Sequence, residues 1–367
     1  MIYTEQLFKI LKKYKINFFT GVPDSVLKSL SIHLKDYKNH IIAANEGTAV
    51  SMVIGYHLAT KKIGCVYMQN SGLGNSINPL ISIADQKVYS IPMLIIIGWR
   101  GAPKIKDEPQ HVAKGKITLK LLKLLGIDHC ILENKNDLVK LEKIIKRSKK
   151  FNRPVACLIK NKTLKTRIKE TTLKKNINNG LLRKDLILNL LNCINKNDDI
   201  ISTTGFTSRE LNQLRKLNNF KKGKDFYMVG GMGHAASVSL TRSMFKKNKN
   251  TICLDGDGSL IMHMGSLSTI GFYGKNNFKH ILLNNFSHES VGGQNTNSQI
   301  INFKNLSLSL GYKNYFRIHS KKNIKKKINN FLKSKGPSFL EVKINNGIIE
   351  NLNRPKNLKE IKSKFIG

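Results

Sequence analysis

Asp257 stands between two glycines in DGDGS, and Asn285 closes the pair of asparagines 28 positions later. Around them the chain runs through TICL, the turn Gly256-Asp257-Gly258-Ser259, the helix-like stretch LIMHMGSLSTIGFY and the apolar HILL. Strand, turn, helix and strand in that order make one crossover between parallel neighbours, so the two polar ends return to the same crevice. Parallel sheets bind ligands beyond the carboxyl ends of their strands. Glycines there let the backbone approach a phosphate, and amides opening a helix favour an anion, so Gly256, Gly258 and Ser259 suit a diphosphate. Asp257 cannot face that anion without a cation between them, and carboxylate oxygen selects Mg2+ or Ca2+. Asn285 supplies a second oxygen ligand and the carbonyl of Ser287 a third. Either half alone reads as a tight turn or a polar strand end; both halves at crossover spacing read as a magnesium-diphosphate site.

The elements that would position such a site occur twice. In the first half the strands expected are NFFTGV, HIIAAN, GCVYMQ, PMLIIIG and PVACLI, with helices at Thr4–Lys13, Ser25–Lys35, Gly47–Ala59, Asn78–Lys87 and Lys116–Leu125. A polar, lysine-rich linker comes next, at 166–182. A second series then holds DLILNLLNCI, DDIISTTG, DFYMVGGMGHAASVSLTRSMF, TICLDGDGS, HILLNN and SFLEVKI. The expectation is two doubly wound parallel-sheet α/β domains, 1–165 and 183–367, with no third domain between them.

Composition narrows the class. A chain of 367 residues exceeds one ordinary domain. Its 63 Lys+Arg against 23 Asp+Glu give a formal charge of +40, which by itself suggests nucleic acid or an anionic surface. The lysines are spread throughout, with no arginine-aromatic alternation, so nucleic acid is not expected as a partner. The amphipathic IKKKINNFL reads as a packed helix with Ile324, Ile328, Phe331 and Leu332 inward and a solvated lysine face. Five separated cysteines without CxxC spacing fit reduced thiols. No run reaches the ~18 apolar residues of a membrane span, so a soluble, cytoplasmic protein is expected.

The GDG…NN pair resembles the thiamine diphosphate motif. FFTGVPDSVLKSL, YMQNSGLGNSINPL, GWRGAPKIKDEPQHVAKGKITL, STTGFTSREL, VGGMGHAASV and LLNNFSHESVGGQ together resemble the phosphonopyruvate decarboxylases and the related sulfopyruvate decarboxylases, collinearly over essentially the whole chain. The resemblance implies a pyrimidine-binding domain followed by a diphosphate-binding domain. It gives Glu46, in HIIAANEGTAV, the role of activating the aminopyrimidine. It places Gly230 and Met232 against that ring, with methionine as the wedge that bends the cofactor, and Thr207 on the diphosphate side. Asp24 and His111 match polar groups near the reacting carbon.

The activity implied is that of a thiamine diphosphate and Mg2+ dependent decarboxylase of a 2-oxoacid, 3-phosphonopyruvate, yielding phosphonoacetaldehyde. A homodimer or homotetramer with active sites at the subunit interface is implied as well. Arg100, His234, His288, Gln294 and Arg354 are candidates for the doubly charged head group. The alternative within the family is sulfopyruvate decarboxylation to sulfoacetaldehyde. The alternative of another class is a basic nucleic-acid-binding protein with an inactive thiamine site.

Overall fold

The computed structural model describes residues 1–168 and 180–367. They form two compact α/β units that divide within the undescribed stretch, the segment His288–Gln294 grouping with the first. Of the expected linker, 169–179 lies outside the described residues.

In the first unit the strands are β1 (Ile2–Tyr3), β2 (Phe19–Gly21), β3 (His40–Ile42), β4 (Gly64–Gln69), β5 (Met93–Trp99), β6 (Asp128–Leu132), β7 (Pro154–Lys160) and β8 (Leu164–Lys165). Six make a parallel sheet in the order β3-β2-β4-β5-β7-β6, and β1 pairs with β8. Every residue of β5, MLIIIGW, is buried. Leu94 and Ile96 join one apolar cluster while Met93, Ile95 and Ile97 join another, so helices cover both faces and the strand reads as a continuous apolar run.

The second unit holds β9 (Asp199–Ser202), β10 (Lys224–Tyr227), β11 (Thr251–Gly256), β12 (Phe278–Asn284), β13 (Asn314–Ile318) and β14 (Ser338–Lys343), parallel in the order β10-β9-β11-β12-β14-β13. Its two faces are again separate: Ile252 and Leu254 enter one cluster, Cys253 the other. Ile324, Ile328, Phe331 and Leu332 are all buried on the helix Ile324–Lys333, as the lysine-faced pattern predicts.

Several boundaries differ from the sequence expectation. The helix expected at Asn78–Lys87 begins at Leu73 and passes at Leu80 into a short π-helical turn ending at Ala84. The one expected at Lys116–Leu125 starts at Pro109, whose fixed φ and missing N–H suit a first helical position. LIMHMGSLSTIGFY is two helices, Asp257–Met262 and Ser266–Tyr273, interrupted around His263 and Gly265. β12 begins two residues before the expected HILLNN and includes a fully buried Lys279. Its ammonium donates to the carbonyls of Asn276 and Ser334, which is why a lysine is tolerated there. Among the described residues no helix is long and apolar enough to cross a membrane.

Candidate active site

Strand order points to the crevices before any side chain does. In the first sheet the chain passes from β2 to β3 on one side and then to β4 on the other; in the second, β9 is followed by β10 on one side and β11 on the other. Each reversal is a topological switch point, where the loops after the two strands part and leave a crevice. Asp24 follows β2 and Gln69 ends β4; Thr203 follows β9 and Gly256 ends β11.

In the first unit Asp24 is fully buried. It accepts hydrogen bonds from Gln69 Nε2 at 2.6 Å and from the amides of Val26 and Leu27 at 3.0 and 3.3 Å. Burial nevertheless pushes its carboxyl above the usual range. A Cβ on Gly98 would stand 2.0 Å from Asp24 Oδ2, so the neighbouring strand makes room for the acid.

Glu46 is the first residue of the helix Glu46–Thr60, which Asn45 caps by accepting from the Thr48 amide at 2.9 Å. The side chain is 5% exposed. Asn75 Nδ2 donates to Glu46 Oε2 at 2.8 Å, and Oε1 makes no hydrogen bond among the described residues. A Cβ on Gly72 would lie 2.3 Å from that Oε1. The segment from Gln69, at the end of β4, to Asn75, in the helix that begins at Leu73, therefore holds Asp24 at one end and Glu46 at the other. Asn70 in the same segment donates to Thr118 Oγ1 at 2.9 Å, tying in the helix Pro109–Leu124, on whose first turn His111 sits buried.

In the second unit β11 and β12 are adjacent and parallel, with Gly256 opposite Leu283, so Asp257 and Asn285 leave the sheet at the same edge. Asp257 is 3% exposed. Its Oδ2 accepts from Thr296 Oγ1 at 2.5 Å and Ser298 Oγ at 2.9 Å. Burial raises this carboxyl too, against those bonds and backbone amides. Asn285 Nδ2 donates to Asn346 Oδ1 at 2.8 Å, and its Oδ1 accepts from the Ser287 amide at 3.2 Å. That return is made by Phe286 at φ 58°, a left-handed conformation uncommon for a bulky residue. The Ser287 hydroxyl is buried and has no partner among the described residues.

Around the switch point, Ser259 Oγ lies 2.8 Å from Thr203 Oγ1 and accepts from the Gly233 amide at 3.1 Å. The Ser259 hydroxyl thus braces three loops, and its backbone amide is the group that the diphosphate expectation rests on. A Cβ on Gly256 would meet only a Thr203 methyl, at 4.0 Å, so the space beside that turn is open. Thr207 is buried on the first turn of the helix Phe206–Leu217, entered through Gly205 at φ 92°. Gly230 and Met232 lie half-buried in the turn between β10 and the helix Ala235–Phe245. Met228, Met244 and Met264 pack against the unit's apolar cluster, and Met232 is not among them.

The head-group candidates fare unevenly. Arg100 is bound through Nε and Nη2 to Asp107 at 2.8 and 2.5 Å, so its charge is already matched. Burial lowers the His288 imidazole to about 4, leaving it neutral near pH 7. His234 is exposed and stacks on His263 with centroids 4.4 Å apart. Sequence reasoning passed over Gln69, Gly72, Asn75, Thr296 and Ser298, whose types carry no signal apart from the partner they hold.

The donors fit the groups expected of them. Asp257, Asn285 and the Ser287 carbonyl form an all-oxygen set suited to Mg2+. The buried Ser287 hydroxyl has no partner among the described residues, the space beside Gly256 is open, and Asn75 engages only one of the Glu46 oxygens.

Comparison with known proteins gives the family. The thiamine pyrophosphate enzyme N-terminal TPP binding domain matches residues 1–131 and the C-terminal TPP binding domain residues 203–342. The phosphonopyruvate decarboxylase of Streptomyces viridochromogenes is 30% identical over 92% of this chain and 87% of its own. That of Streptomyces hygroscopicus is 30% identical over 97% and 91%. The sulfopyruvate decarboxylase of Methanosarcina acetivorans is 27% identical over 98% and 96%.

Proposed function

Because this chain belongs to the phosphonopyruvate decarboxylase family of thiamine pyrophosphate enzymes, we propose that it converts 3-phosphonopyruvate to phosphonoacetaldehyde and carbon dioxide with thiamine diphosphate and Mg2+. The observation that carries this reading is likeness to two phosphonopyruvate decarboxylases over nearly the full chain.

Bound thiamine diphosphate supplies a nucleophilic carbon and a sink for the electrons released with carbon dioxide. The chain's own residues do the rest. Asp257, Asn285 and the Ser287 carbonyl hold the cation, and Thr207 with the backbone of Gly256, Gly258 and Ser259 takes the diphosphate. Gly230 and Met232 seat the ring end. Glu46 works through Oε1, because Asn75 occupies Oε2. Asp24, its carboxyl pushed up by burial, holds a proton at higher pH than an exposed aspartate and serves as general acid, with His111 as the second relay.

Gly72→Ala tests the glutamate's setting. The new methyl must displace Glu46, and a shift of about 1 Å at a catalytic group costs on the order of a hundredfold in rate. Turnover that stays within twofold in a folded variant would detach Glu46 from the reaction.

The function itself is tested by release of carbon dioxide and aldehyde from phosphonopyruvate, sulfopyruvate and pyruvate, each with and without cofactor and Mg2+. Preference for phosphonopyruvate supports the proposal; preference for sulfopyruvate moves the chain to the second reading, which the Methanosarcina relative favours. No cofactor-dependent turnover of any of the three overturns both. The oligomer proposed is a homodimer or homotetramer, and an active monomer in sedimentation would exclude it.

A further inference from the structure

Asp257 has two oxygens, and two hydroxyls converge on one of them. Thr296 Oγ1 donates to Oδ2 at 2.5 Å; Ser298 Oγ lies 2.9 Å from the same atom; the two hydroxyls are 2.6 Å apart. Thr296 and Ser298 are both buried, 4% and 2% exposed. Behind them runs a second line of bonds. Ser298 Oγ is also 3.1 Å from Asn284 Oδ1, one proton facing two acceptors. Asn284 Nδ2 donates to Glu341 Oε1 at 3.0 Å, which fixes the direction of the amide, and Tyr315 OH donates to Glu341 Oε2 at 2.5 Å. The line crosses three neighbouring strands, β12, β14 and β13.

We propose that Thr296 and Ser298 make Asp257 a one-oxygen ligand and thereby set the site's preference for Mg2+ over Ca2+. The inference rests on the cation site proposed above. Mg2+ demands near-ideal octahedral geometry, keeps several waters and takes few carboxylates, whereas Ca2+ accepts six to eight oxygens and bidentate carboxylates at longer distance. With two hydroxyls facing Oδ2, the oxygen that Asp257 offers the cation is Oδ1. The asparagine pair that supplies a ligand at Asn285 also places at Asn284 an amide oxygen that shares Ser298's single proton with Asp257.

The test is calorimetric titration of Mg2+ and of Ca2+ into the full-length protein in saturating thiamine diphosphate, for the wild type, Ser298→Ala, Thr296→Val and the hydroxyl-retaining Ser298→Thr. Partners that orient a metal ligand are worth about 10–100-fold in metal affinity. Ser298→Ala and Thr296→Val should each weaken Mg2+ by that factor and Ca2+ by less, so that the Mg2+/Ca2+ ratio falls, while Ser298→Thr keeps it. Equal weakening of both ions would reduce the pair to a structural role, and unchanged Mg2+ affinity would remove the role altogether. Either result overturns the proposal. If Thr296→Val does not fold, the Ser298 pair decides alone. A wild type that binds neither ion would instead overturn the cation site itself, so the two failures are distinct.

Discussion

Glu46→Gln should lower phosphonopyruvate turnover by about 10²–10⁴-fold, the range associated with losing a positioned proton-transfer group, while leaving the protein folded. The replacement is nearly isosteric. Its amide oxygen can still accept from Asn75, and Gly72 still leaves the space that the side chain occupies. What changes is the other atom: an acceptor that carries charge becomes an NH2 donor. At 5% exposure the wild-type position bears the desolvation cost of a charge, so its removal should not destabilise the fold. Binding of thiamine diphosphate with Mg2+, measured by calorimetry, should hold within a few fold, because the cation and diphosphate ligands proposed here lie in the other unit. The split between retained binding and lost turnover is the diagnostic result. A variant that keeps more than a tenth of wild-type turnover would show that Glu46 is not the activating acid, whatever the family likeness implies.

How far the sequence could carry the fold depended on how its apolar residues are distributed. β4, β5 and β7 are buried throughout, or all but their last residue, and stand out as uninterrupted apolar runs. β6, DHCIL, has polar residues at its first two positions and lies at the sheet edge, so no run announces it. β13, NYFRI, is an edge strand of the same kind. Lys279 misled in the opposite direction: a lysine in a strand pattern signals exposure, but here two backbone carbonyls satisfy it. Periodicity also joined the two helices that begin at Asp257, since nothing in LIMHMGSLSTIGFY except Gly265 marks the break.

The site divides along similar lines. Asp257 and Asn285 were legible because their chemistry and crossover spacing are local to the sequence. Thr296 and Ser298 are hydroxyls in NTNSQ, with no motif; only the folded chain brings them to Asp257. Arg100 illustrates the converse. A positive charge near a phosphonate enzyme's pocket invites assignment, yet Asp107 seven residues later already takes two of its nitrogens. Chain length fails as a discriminator between the two substrates, because a sulfopyruvate decarboxylase is matched over 96% of its own length by this fused chain. Substrate choice therefore rests on turnover, not on domain organisation.

Asp257→Asn should abolish measurable Mg2+ binding, a loss exceeding the ~10–100-fold expected when only a ligand's supporting partner is removed. The metal-free protein, however, should be no less stable. In the wild type a buried carboxylate is compensated by two hydroxyls and by backbone amides alone, and an unpaired buried charge is costly. Asparagine at this position keeps an oxygen for Thr296 and Ser298 while removing that charge. The contrast appears in thermal unfolding. Ligand that binds only the folded state stabilises it by RT ln(1 + [L]/Kd), about 2.7 kcal/mol at a hundredfold excess over Kd. Addition of Mg2+ with thiamine diphosphate should therefore raise the wild-type midpoint and leave that of Asp257→Asn where it was. If the variant's midpoint rises as much as the wild type's, Asp257 does not hold the cation. If instead its metal-free midpoint falls sharply, the carboxylate is a structural acceptor for the Thr296–Ser298 pair, and the spacing between GDG and NN has a purely architectural cause.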